Sequence, residues 1–191
     1  MPALSEEVIG KFCGLCMWTH DTWLLRKYLF DKNPDEAKLK HPRYEHFFAR
    51  LQLVLQEHWL LQLAKLHDPA VQNKQINLTI DYIIDYGNWD SSTHAELKQL
   101  RDKMVMLVDA SIRKARNKAL SHNDLAAILS DAVLGEFTEG KDIEYFESLQ
   151  AFVNVVANQV LDETFQFEKF VLSDIGAFMN CFNAGFSQID G

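Results

Sequence analysis

Residues 93–124 read THAELKQLRDKMVMLVDASIRKARNKALSHND, and the reading of this stretch decides the fold. Thr93 followed three residues on by Glu96 is a capping box, a signature of a helix start. The pattern then predicts one helix of about 29 residues, roughly 43 Å long at 1.5 Å per residue. Ser121, Asn123 and Asp124 favour caps and turns over helix interiors, so they close it. Along its seam the side chains shrink from Leu97, Met104 and Leu107/Val108 to Ser111, Ala115 and Ala119. Small residues at the far end let a second helix come close.

Working outward, helical spacing recurs on both sides. Ser5 followed by Glu6 and Glu7 reads as an N-cap with acidic residues in the first turn. The helix it opens should run to about Phe30, and residues 31–35 (DKNPD) form a loop. A second helix begins after Pro42 and runs to Leu66, with an apolar arc wide enough to predict a central position. Asp68-Pro69 ends it. Thr79 and its neighbours cap a short helix, Asp81 to Tyr86, which Gly87 stops. Asp124 caps a further short segment to about Leu134, and residues 135–141 are a loop. Asp142 opens a last long helix carrying Leu149, Phe152/Val153, Val156 and Phe165/Phe167, with a restart at Asp174 and the stripe Phe178, Phe182, Phe186. Period-two alternation is not sustained anywhere. The expected fold is all-α: a single domain over residues 1–191, an up-and-down bundle of four main helices with short extras.

The far end of residues 93–124 also concentrates chemistry. Arg113, Lys114, Arg116 and Lys118 crowd six residues, with Asn117 among them and His122 at the helix end. The negative end of a helix dipole favours the imidazolium form of His122, and a His titrating near neutrality suits general acid–base work. On an unbroken helix Arg116 and His122 stand about 120° apart, which is awkward for one phosphate. Arg116 could reach by its length, the helix could unwind after Leu120, or a second copy could supply the partner. The plainer alternative is a helix stop and cap, with Arg116 a solvated charge.

Arg116-Asn117, four residues, then His122 resembles the signature of the HEPN superfamily of helical domains, many of which cleave RNA. The flanking KALSHNDL (118–125), LAKLHDPA (63–70) and NLTIDYII (77–84), in that order relative to the long helix, resemble the abortive-infection, AbiU-like branch. His67 stands where such proteins often have an apolar or aromatic residue, and Ser121 where they have Ala. The resemblance implies metal-independent cleavage of RNA without a cofactor, in phage defence or as a toxin. By the same resemblance His122 moves protons, Arg116 binds and stabilises the phosphate, and Asn117 orients it, while Arg113, Lys114 and Lys118 would hold the RNA backbone. Such domains usually form homodimers and are often held inactive by a nucleotidyltransferase-like antitoxin. The rival is a non-catalytic helical module that binds RNA or a protein.

Other constellations compete. Cys13, Cys16 and His20 share one face of the first helix and could hold zinc if Cys181 or a histidine completed the set. A core stripe is the expected reading, because free Cys behaves as a small buried hydrophobe. His58, amid Leu55, Trp59 and Leu61, is expected as a hydrogen-bonded core histidine. Glu-x-x-His pairs, Gly-rich phosphate loops and zinc-protease motifs are missing from the sequence.

Composition sets the outer bounds. The 191 residues are 48% hydrophobic with only four prolines and eight glycines, ordinary for a helical globular domain. No run of eighteen apolar residues predicts a membrane span, and the start MPALSEE lacks a secretion signal. Three cysteines cannot close a disulfide framework, so a reducing cytoplasm is expected. The net charge is −8, yet residues 98–118 hold seven Lys/Arg against Asp102 and Asp109. A local basic stripe on an acidic body can hold one phosphate backbone at one place, although a solvated helix face is the commoner meaning of such a run.

Overall fold

The computed structural model describes residues 4–108, 137–167 and 170–187. It is an all-α helical bundle. The described helices are α1 (Glu6–Arg26), α2 (Glu36–Leu39), α3 (Glu45–Leu66), α4 (Ile80–Tyr86), α5 (Ser91–Leu107), α6 (Lys141–Val160) and α7 (Phe170–Ser187). A π-helical turn, Lys27–Asp31, continues α1. One two-residue hairpin, Val71–Gln72 with Gln75–Ile76, interrupts the helices; its turn residues Asn73 and Lys74 both have positive φ (51° and 68°). That pair of angles marks a type I′ turn, whose twist suits a tight hairpin.

α1 is the hub. It touches α3, α6 and α7, while α5 packs on the opposite partner, α6. Ser5 caps α1 as expected, its hydroxyl accepting from the Val8 amide. Ile9, Phe12, Cys13 and Cys16 project from α1 at helical spacing into the main core. They meet Tyr145, Leu149, Phe152, Val153 and Val156 of α6, with Leu60 and Leu63 of α3, Ile80 and Ile83 of α4, and Leu97 and Met104 of α5. Thr19 and Thr22 are also buried on α1, each hydroxyl donating to the carbonyl four residues back, Leu15 and Trp18. A threonine satisfied by its own helix can be buried without an external partner.

A second core lies at one end, built from Leu29 and Phe30 of the π turn, Leu39 of α2, Phe48 of α3, and Ile175 and Met179 of α7. Asn183 ties α7 to this end, donating to Asp35 (2.8 Å) and accepting from Lys38 (3.0 Å).

Several boundaries differ from the sequence expectation, each for a local reason. α3 is not central: Phe47, Leu53 and Val54 are exposed, and only its C-terminal half enters the main core. Its wide apolar arc serves the second core instead, through Phe48, Leu51 and Leu55. The cap of α5 is Asp90, whose carboxylate accepts from the Thr93 amide at 2.8 Å, so Thr93 lies inside the first turn. α5 stops at Leu107, where Val108 turns to φ −77°, ψ 69°, so the unbroken helix expected to residue 121 is not formed. The continuation over residues 109–121, its seam Ser111, Ala115 and Ala119, and the segment capped by Asp124 lie outside the described residues. Gly87 ends α4 without a left-handed turn, at φ −81° and ψ 148°. A Cβ there would collide with the Trp89 indole, which folds back to donate to the Ile83 carbonyl. The last apolar pattern is two helices. α6 ends at Val160, Asp162 adopts φ 53°, and α7 starts at Phe170. Phe165 and Phe167 therefore sit on a connecting segment, packed back on the main core.

Phe152 is fully buried and meets Phe12 edge-to-face at 5.9 Å between ring centroids. Phe152→Ala should destabilise the protein by about 3–5 kcal/mol, the usual cost of truncating a core Phe. Phe47→Ala, at a side chain 66% exposed, should change stability by less than about 0.5 kcal/mol. Urea unfolding of both variants checks the assignment of α1 and α6 as the centre.

Candidate functional site

The residues that carry the sequence's chemistry, Arg113, Lys114, Arg116, Asn117, Lys118 and His122, lie outside the described residues. Their attachment to the fold is defined on both sides. On the α5 side, Val108 is buried and its amide donates to the Met104 carbonyl at 2.9 Å. On the α6 side, Phe137 stacks on Trp59 (5.9 Å, 17°) and packs against Tyr145 (5.5 Å). Both exits are therefore fixed in the main core.

Tyr145 links this junction to α3. It is fully buried, and its hydroxyl lies 2.9 Å from His67 Nε2, the residue that caps the C-terminus of α3. Burial holds the Tyr145 phenol well above its ordinary pKa, so it stays protonated and available as a donor. His67 and Phe137 thus share Tyr145 as a neighbour.

The described part of the basic stripe is largely committed within the fold. Arg101 pairs with Asp81 (3.5 Å) and Asp102 (3.2 Å), and Lys103 with Glu144 (3.8 Å). Lys141 also reaches Glu144, and its hydrogen bond holds that carboxyl below the usual carboxylate range. Of the basic residues on α5 only the exposed Lys98 has no ion-pair partner among the described residues. The run of positive charge in the sequence overstates what α5 itself offers to a phosphate.

Cys13 and Cys16 are core residues, as the stripe reading expected. Burial pushes the Cys13 thiol up to about 11 and raises Cys16 well above its ordinary value, the opposite of what a thiolate ligand needs. Cys181 is exposed on α7, whereas Cys13 and Cys16 are buried. Among the described residues no group of His, Cys, Asp and Glu is arranged to hold a metal ion. His20 is instead enclosed by rings, 5.0 Å from Phe167, 5.2 Å from Phe146 and 5.5 Å from Trp23. His58 is half-buried where a core position was expected, and its Nε2 accepts from the exposed Trp18 indole at 3.0 Å. The α3 register explains this, since His58 falls between the buried Trp59 and the exposed Glu57.

Sequence reasoning missed the ion pair Lys27–Asp142, 2.6 Å long and half-buried between the π turn and α6. The two residues are 115 apart in the chain, and no local pattern announces the wider π turn that presents Lys27. No described helix is long and apolar enough to cross a membrane.

A family model described as AbiU2 (HEPN_AbiU2) matches residues 2–180, a span that includes Arg116, Asn117 and His122. No curated protein and no solved structure matches the chain.

Thiol chemistry tests the core reading. In the native protein at pH 8 only Cys181 should react with a chromogenic disulfide, and all three cysteines should react in denaturant. A raised folded pKa contributes stability that is fully present below the unfolded thiol value of 9.0 and is lost as pH rises toward about 11. Urea midpoints should therefore fall between pH 9 and pH 11, and Cys13→Ala should lessen that fall.

Proposed function

The chain belongs to the AbiU2 family of HEPN domains, and from that premise we propose that it is a metal-independent endoribonuclease of a phage-defence or toxin system. The supporting observation is that Arg116-Asn117 and His122, spaced as in RNA-cleaving HEPN domains, fall inside the family match.

The chemistry follows from the residue types. A base, His122, takes the proton from a ribose 2′-hydroxyl, and the oxygen attacks the adjacent phosphorus. The P–O5′ bond breaks, and the leaving oxygen receives a proton from an acid. One fragment ends in a 2′,3′-cyclic phosphate and the other in a 5′-hydroxyl. Arg116 binds the phosphate through paired N–H groups and stabilises its extra charge in the transition state. Asn117 orients the phosphate or His122. Arg113, Lys114 and Lys118 hold neighbouring phosphates. The need for a 2′-hydroxyl makes RNA, and not DNA, the substrate.

Acid and base steps want two protonation states, and one chain offers a single motif His. A homodimer that packs Ala115 and Ala119 against their copies supplies two Arg116 and two His122 to one cleft. It also pools the cations that α5 does not provide. A nucleotidyltransferase-like antitoxin is the proposed inhibitor.

Purified protein in EDTA should cleave a mixed RNA and leave cyclic phosphates. His122→Ala should lower the rate by about 10² to 10⁴. Fragments with 5′-phosphates, or activity that chelation removes and magnesium restores, would sink the mechanism. RNA that is bound and never cut would favour the non-catalytic module.

A separate experiment addresses the dimer. Arg116→Ala and His122→Ala chains, each inactive alone, should regain partial activity when mixed and allowed to exchange. A site contained within one chain would stay dead in the mixture.

A further inference from the structure

The outward face of α3 leaves large apolar side chains in solvent. Phe47 is 66% exposed, Val54 58% and Leu53 42%, and Leu61 is half-buried in line with them. Phe47, Arg50, Val54, Glu57 and Leu61 follow one another at steps of three, four, three and four residues. They therefore share an arc of about 80° on the helix. Their order is apolar, cationic, apolar, anionic, apolar. The inner side of the same helix is already committed, Phe48 to the second core and Trp59, Leu60 and Leu63 to the main one. Apolar side chains gathered on one exposed face mark a contact with another molecule.

The charges restrict which molecule fits. Arg50 and Glu57 are exposed, and neither has an ion-pair or hydrogen-bond partner among the described residues. Elsewhere such groups pair within the chain, as Lys38 does with Asp35 and Lys40 with Glu36. Seven residues apart on one helix, Arg50 and Glu57 stand about 10 Å apart along its axis and cannot meet. A copy of α3 lying antiparallel across Val54 closes that gap. Phe47 and Leu61 are both seven residues from Val54, so Phe47 faces the partner's Leu61. Arg50 is four residues before Val54 and Glu57 three after. Arg50 thus falls within one residue, about 1.5 Å along the axis, of the partner's Glu57. A parallel copy would instead set like charges together. A nucleic acid strand or an acidic helix would meet Glu57, and a basic helix would meet Arg50.

We propose that α3 is a docking surface for a second copy of this chain, with Val54 on the twofold axis and two Arg50–Glu57 pairs across it. The contact is separate from the packing of Ala115 and Ala119 and does not rest on RNA cleavage. α3 has 22 residues and is about 33 Å long. One helix face of that length is smaller than the standard interface of about 800 Å² per partner, so the association is weak and set by concentration.

The test follows the mass of the full chain by sedimentation over a range of concentrations. Arg50→Glu and Glu57→Arg should each weaken self-association by at least about tenfold, because both crossing pairs become like-charged. Mixing the two variants restores both pairs between unlike chains, so the mixture should regain the wild-type mass. Val54→Asp, which sets two carboxylates on the axis, should also weaken association. A dimer through Ala115 and Ala119 adds its own step, which these variants leave unchanged. Melting temperatures of dilute samples should be the same for both charge reversals, since neither side chain is paired within the chain. Reversals that associate like wild type, or a mixture no heavier than either variant alone, overturn the proposal. Reversals that alter binding of RNA or of anionic vesicles and leave the mass unchanged give the face to those partners and overturn it equally. Cleavage by the wild type is read separately, so this contact and the proposed function can each fail alone.

Discussion

The packing of α1 on α6 is the constraint on which the remaining elements depend. α1 is buried on several sides at once: Ile9, Phe12, Cys13 and Cys16 face the main core, and Leu24 and Trp23 extend it toward the π turn. Such a helix cannot show one clean apolar stripe, because its neighbours surround it. Its buried polar residues are those that can be satisfied locally, Thr19 and Thr22 by their own carbonyls, or by a near neighbour, as Arg26 is by Asp31 at 2.9 Å. The two thiols are small, and they are held neutral by the burial that makes them useful as filler. Removing Phe12 or Phe152 from this contact would withdraw support from α3, α5 and α7 together, since α1 or α6 touches each of them.

How legible this was in the sequence varied with the kind of signal. Local chemistry was readable: Ser5, Thr79 and the Asp68-Pro69 stop all act where the residue types place them. Tertiary competition was not. The arc of α3 looked central because it combined two different faces, one for each core, and a projection cannot separate them. Asp90 won the α5 cap from Thr93 because its carboxylate, three residues before Thr93, reaches the Thr93 amide. The break after Val160 depends on Asp162 at positive φ and on Gln150 holding Phe165 and Phe167, contacts 15 and 17 residues apart. Of the candidate site, the residue types and spacing of Arg116, Asn117 and His122 are legible in the sequence and lie within the span of the family match, while the pairing of Arg101 and Lys103 required knowing which carboxylates stand opposite them.

That neutralisation changes how an acidic protein could hold RNA. With a net charge of −8, the body of the molecule repels a polyanion at long range. At physiological ionic strength such repulsion is screened beyond about 8 Å, so attraction only has to prevail locally. α5 contributes little to it, because Arg101 and Lys103 already face Asp81, Asp102 and Glu144. Under the proposed activity, phosphate contacts therefore concentrate on Arg113, Lys114, Arg116 and Lys118, and one chain offers too few of them for a long footprint. Each phosphate contact to single-stranded nucleic acid contributes about −0.7 to the salt slope, so a short footprint also means shallow salt dependence. In the proposed homodimer a second copy brings its own Arg113, Lys114, Arg116 and Lys118 to the same cleft, together with a second imidazole. Under the proposed activity, the electrostatic need and the catalytic need are both met by the same proposed shared cleft.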